Sequence, residues 1–60
     1  MKEYTYKSTF TDDIERLETL ERVTKACTSI LSDRPNDKFT ISTGVKESIY
    51  YLGVSYIFAD

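Results

Sequence analysis

The chain has no histidine and no tryptophan, a single cysteine, a single proline and two glycines among its 60 residues. Each scarcity closes a route. Without histidine the commonest general base near neutral pH is missing. A zinc site needs several nitrogen or sulfur ligands, and Cys27 alone cannot supply them. The same lone cysteine permits no intramolecular disulfide. Gly44 and Gly53 are too few for a loop that cradles phosphate. No apolar run approaches the length of a membrane span, and residues 1–7 lack the apolar core of a secretory leader. The expectation is one small domain over residues 1–60, in a reducing cytoplasm, with no metal, no cofactor and no catalytic chemistry.

Size sharpens that expectation. A domain this short buries only about 60% of the surface its unfolded chain exposes. Without a disulfide or a metal, the remaining way to add stability is a partner subunit. Eight basic and ten acidic residues give a net charge of −2. That balance suits a globular protein better than a disordered tail. Its sign is wrong for general binding to nucleic acid, which needs clustered Lys and Arg.

Periodicity divides the chain into four segments. Over residues 3–10, Tyr4, Tyr6 and Phe10 alternate with Thr5, Lys7 and Thr9, the period of a strand. A helix is expected over 12–31. Thr11 or Asp12 can cap it, Asp12 with Glu15 has capping-box spacing, and Asp12, Asp13 and Glu15 place negative charge at the positive end of the helix dipole. Leu17, Leu20, Thr24, Cys27 and Leu31 recur at 3-4-3-4 spacing, and Val23 and Ile30 widen the stripe. Asp12–Arg16, Glu18–Arg22 and Glu21–Lys25 stand at i,i+4. Pro35 ends the helix, and residues 32–37 supply turn chemistry. Residues 38–43 and 49–58 read as two further strands. The expected fold is α+β, in the order β-α-β-β, with one long amphipathic helix on a mainly antiparallel three-stranded sheet. An alternative makes 45–52 a short second helix, because Val45, Ile49 and Leu52 sit at i, i+4, i+7 with Gly53 at the C′ position.

Cys27 falls on the apolar helix stripe, where a thiol with no activating base is packing material. The acids Asp12, Asp13, Glu15, Glu18 and Glu21 could dock on a basic partner. Dipole complementarity and ordinary ion pairing account for them equally well. The last strand is less ordinary. Tyr50, Leu52, Val54, Tyr56 and Phe58 point one way, while Ile49, Tyr51 and Ile57 point the other. A sheet with one wet face should alternate apolar and polar residues cleanly. This strand does not, so Ile49, Tyr51 and Ile57 are expected to meet another chain, in a homodimer or a protein partner. The other resolution buries them internally, with the last strand central and the N-terminal segment folded over that face. Base stacking on the aromatics is disfavoured, since residues 47–60 contain no basic side chain.

In size, acidity and lack of catalytic groups the chain resembles the small proteins that bacteriophages use to bind and block host defence or transcription factors. The likeness is compositional and carries over no residue. It implies a small inhibitor or adaptor that occupies a partner's functional surface. A nucleic-acid-binding regulator is the alternative, and it requires Lys2, Lys7, Lys38 and Lys46 to converge on one face.

Overall fold

A computed structural model describes residues 2–60. The elements run β1 (Lys2–Phe10), α1 (Asp13–Asp33), β2 (Lys38–Lys46) and β3 (Ile49–Phe58). The sheet order is β1-β3-β2, with β3 antiparallel to both neighbours. This is the expected β-α-β-β arrangement. The most apolar strand takes the centre, and the N-terminal segment forms an edge of the sheet instead of folding over its face. Among the described residues no helix is long and apolar enough to cross a membrane.

Period-2 alternation sets the two faces of β3. Leu52, Val54 and Tyr56 are buried under α1, Leu52 with only 1% of its surface left exposed. Cys27, Val54 and Tyr56 form the core, with Val23, Phe39, Ile41 and Phe58 packed around them. An aromatic cluster extends it, Tyr56 lying 4.6 Å from Phe58 and Phe58 5.5 Å from Tyr4, centroid to centroid. Burial of this kind contributes about 25 cal/mol for each Å² of apolar surface removed from water.

Helix α1 begins as its sequence dictates. The Asp12 carboxylate accepts from the Ile14 N–H at 2.9 Å, satisfying one of the free donors of the first turn. Arg16 bridges to Asp13 at 2.6 Å, not to Asp12, which is occupied as the cap. Glu21 pairs with Lys25 at 3.1 Å, whereas Glu18 and Arg22 form no salt bridge. The buried stripe is narrower than the spacing implied. Leu20, Val23, Cys27 and Leu31 face inward, while Leu17, Thr24 and Ile30 remain exposed. A single straight helix meets a twisted sheet along only part of its length, so residues at the margins of the stripe find nothing to cover them.

Residues 45–52 form no helix. Val45 and Lys46 continue β2, and Glu47 and Ser48 make a two-residue turn into β3, with φ of 51° and 66°. Two consecutive left-handed residues are what a type I′ hairpin turn requires. Gly53 has no positive φ and lies in the middle of the central strand.

Candidate interaction surface

The best-organised cluster of polar groups lies where α1 ends. Asp37, just before β2, is buried. Its carboxylate accepts from Arg34 Nε at 2.7 Å, from the Tyr56 hydroxyl at 2.8 Å and from the Ala59 N–H at 2.7 Å. Arg34 also donates to the Ala59 carbonyl at 2.8 Å, and its guanidinium sits 5.3 Å from the Phe58 ring centroid. Burial alone would raise the carboxyl's pKa. The hydrogen bonds from Arg34, Ala59 and Tyr56, with the guanidinium charge, overcome it and hold Asp37 below the ordinary carboxylate range. The same desolvation, with the adjacent carboxylate, pushes the Tyr56 hydroxyl up to about 12. With three donors converging on it, Asp37 has a structural role: it clamps the chain after β3 to the turn between α1 and β2. The sequence marked 32–37 as a turn and gave no sign of this clamp, because Tyr56 and Ala59 lie about twenty residues away.

Cys27 is free and buried, and its thiol pKa is raised by burial. Among the described residues no group of three or more histidine, cysteine, aspartate or glutamate side chains could hold a metal ion.

Ile49, Tyr51 and Ile57 share the face of the sheet opposite α1, as alternation requires. They do not form a single patch. Gly53 and Ser55 lie between Tyr51 and Ile57, and the flanking strands place Thr5, Lys7 and Thr9 on one side and Thr40, Ser42 and Gly44 on the other. The Tyr51 ring lies over Gly44, its hydroxyl 2.6 Å from where a Cβ on that glycine would stand. The ring thereby covers bare backbone on the edge strand. Ile49 and Tyr51 keep exposed surface, and Ile57 is half-buried. Three of the four lysines of the nucleic-acid alternative, Lys7, Lys38 and Lys46, do share this face. Lys2 is opposite Phe58, in the row that faces α1.

The acids fall into two groups. Asp12, Asp13 and Glu21 are engaged in the cap and the ion pairs. Glu15 and Glu18 are exposed and belong to neither. Two exposed apolar side chains stand among them, Ile14 at 63% and Leu17 at 49%. Ile14, Leu17, Glu18 and Glu21 follow i, i+3, i+4, i+7, so they share one helix face. The sequence pattern assigned Leu17 to the core and passed over Ile14. The available signal was that Ile14 does not fit the 3-4 spacing of the buried stripe.

Comparison with protein families, curated proteins and solved structures finds no match for this chain.

Proposed function

We propose that this chain is a small, non-catalytic protein-binding domain, an inhibitor or adaptor that covers a functional surface of its partner. The observation that carries this reading is the exposed pair Ile14 and Leu17 set among carboxylates on the first two turns of α1. Isolated exposed apolar residues need no explanation, but a contiguous apolar surface with a polar rim is the composition of an interaction site. The complementary partner carries a shallow apolar depression ringed by Lys or Arg, and the acids steer the encounter.

The test is a comparison of tagged wild-type chain with an Ile14→Ser/Leu17→Ser double variant, both used to capture proteins from lysate of the source cells. The variant removes mostly exposed surface, so its circular dichroism should match wild type and its melting temperature should stay within a few degrees. A protein held in stoichiometric amount by wild type, lost with the variant and weakened by Glu18→Lys, is the expected result. Identical captured sets would overturn the assignment.

A second reading has its own observation: Lys7, Lys38 and Lys46 on the face that also exposes Tyr51. A nucleic-acid strand could use these lysines for phosphate and the tyrosine for stacking. Titration of the purified chain with labelled oligonucleotide at low and moderate salt decides it, since phosphate contacts give affinity that falls steeply with salt.

A further inference from the structure

The free edge of β1 carries more than an open backbone. On its helix side Tyr4 is 61% and Tyr6 46% exposed. With Val23 and Ala26 of α1 and Val54 beneath, they border an apolar groove of about 290 Å³. Ile30, one turn beyond Ala26 along the same row of the helix, is exposed as well. The molecule as a whole has surface to spare. It exposes 4627 Å², against about 4,000 Å² for a monomer of this mass. Its radius of gyration is 12.6 Å, against about 10 Å for a compact chain of this length. The excess, about 600 Å², approaches the roughly 800 Å² that each partner contributes to a standard interface.

We infer that the occupant of this groove is a second copy of the chain, paired edge to edge through β1 about a two-fold axis at Thr5. This inference is independent of the partner proposed above, which meets a different face of α1. A two-fold axis perpendicular to the sheet makes the two β1 strands antiparallel and joins two three-stranded sheets into one of six strands, with both helices on the same side. Helix-side residues then meet helix-side residues whichever residue of β1 lies on the axis, so side-chain complementarity selects the register. The sequence from 3 to 7, Glu-Tyr-Thr-Tyr-Lys, is self-complementary about Thr5. With the axis there, Glu3 lies opposite the second copy's Lys7, and Tyr4 opposite its Tyr6, each pair occurring twice. Opposite charges and aromatic pairs are the favourable cross-strand combinations. An axis at Tyr4 sets Glu3 against Thr5, one at Tyr6 sets Glu3 against Thr9 and Lys7 against Thr5, and one at Lys7 sets lysine against lysine. The other edge, β2, exposes only Val45 among its large apolar residues: Phe39 and Ile41 are half-buried, and Lys38 and Lys46 stand at its two ends.

The dimer is tested by sedimentation of the purified chain between about 1 and 100 µM, with three sets of variants. Glu3→Lys and Lys7→Glu, each alone, put like charges opposite one another twice and should weaken association about tenfold or more. The double charge swap should restore it. It does so without restoring the hydrogen bond that Ser55 Oγ donates to Glu3 at 2.9 Å, so recovery reports the intermolecular pair. In a Cys27→Ser background, Thr5→Cys should oxidise to a covalent dimer. Thr40→Cys should not, although Thr40 flanks the same Ser55 from the other edge. Tyr51→Glu, on the opposite face, should leave the dimer intact. A wild-type chain that is monomeric at 100 µM overturns the inference. So does a dimer that ignores the charge swap, cross-links through Thr40→Cys, or dissociates with Tyr51→Glu.

Discussion

The two ends of the sheet are held by different means. Where α1 finishes, the buried Asp37 gathers Arg34, Tyr56 and Ala59, and Phe39, Tyr56 and Phe58 pack beside it, the Phe39 and Tyr56 rings near-parallel 6.3 Å apart. Where α1 starts, the ties run from Arg16, whose side chain is largely covered, to partners that stay in solvent. Arg16 donates to Thr43 Oγ1 at 2.7 Å, Thr43 passes the contact to the Tyr51 carbonyl at 2.9 Å, and the guanidinium lies 5.8 Å from the Tyr50 ring centroid. Ile14, Leu17, Val45 and Ile49 remain in solvent at that end. A buried, fully partnered polar group fixes geometry, because breaking any bond leaves a desolvated donor behind. Ties whose partners remain in solvent contribute less, because water can replace them. One end therefore fixes the geometry of the domain, and the other leaves apolar surface in solvent.

The largest effect is expected at Asp37. Asp37→Ala strands three donors at once and should leave the chain mostly unfolded at 25 °C by circular dichroism. Asp37→Asn, which keeps the shape and loses the charge, should fold but melt lower. The pH dependence follows from the same contacts. Asp37 titrates lower in the folded chain than in the unfolded one, so its contribution is present above the unfolded value near 4 and lost as pH falls through the folded value. Tyr56 is shifted the other way, to about 12, so its contribution is complete below pH 10 and lost as pH rises toward 12. Melting temperature against pH should fall on both flanks, and Asp37→Asn should flatten the acid flank. An acid flank unchanged in that variant would show that some other carboxylate sets it.

The next effect sets Leu52 against Leu17. Leu52 is the fully buried centre of the sheet, and Leu52→Ala should cost about 2–5 kcal/mol in urea denaturation. Leu17→Ala removes a side chain about half in water and should cost under about 1 kcal/mol. Comparable costs at the two positions would mean that the first turns of α1 are packed as tightly as the core.

How much of this could be read from the residues follows the range of each interaction. Alternation in 49–58 gave both faces of β3, and the 3-4 spacing through Leu20 and Cys27 gave the buried side of α1, because these patterns are local. The width of the helical stripe was not legible. Whether Leu17 is covered depends on how the helix crosses the sheet, which no spacing within the helix encodes. The Asp37 clamp was hidden for a related reason, since two of its donors, Tyr56 and Ala59, come from the end of β3, about twenty residues on. The open face, too, depends on residues outside its own strand. Ile49, Tyr51 and Ile57 suggested an apolar surface until the neighbouring strands placed threonine, serine, lysine and glycine around them. Once β3 is central and β1 is an edge, exposed aromatic surface is found at Tyr4 and Tyr6, which the alternation had placed on one face of their strand.

The smallest effect tests the weakly held end by strengthening it. Glu47 and Ser48 both adopt left-handed backbone, and neither is a residue that tolerates it well. The conformation costs about 1–2 kcal/mol for an ordinary residue, while asparagine and glycine take it up readily. Their absence also explains why 45–52 could be mistaken for helix: the turn is formed without the Asn-Gly signature that announces a hairpin. Glu47→Asn with Ser48→Gly should relieve the strain in the folded chain. Glycine also loosens the unfolded chain, which offsets part of the gain, so the net stabilisation should be about 1 kcal/mol. The signature is a higher urea midpoint with unchanged slope, since the surface exposed on unfolding stays the same. The turn joins β2 to β3 and does not involve β1, so the dissociation constant of the dimer should not move. A double variant less stable than wild type would show that the two ends are not balanced as argued, and that the hairpin turn is held by contacts its sequence does not reveal.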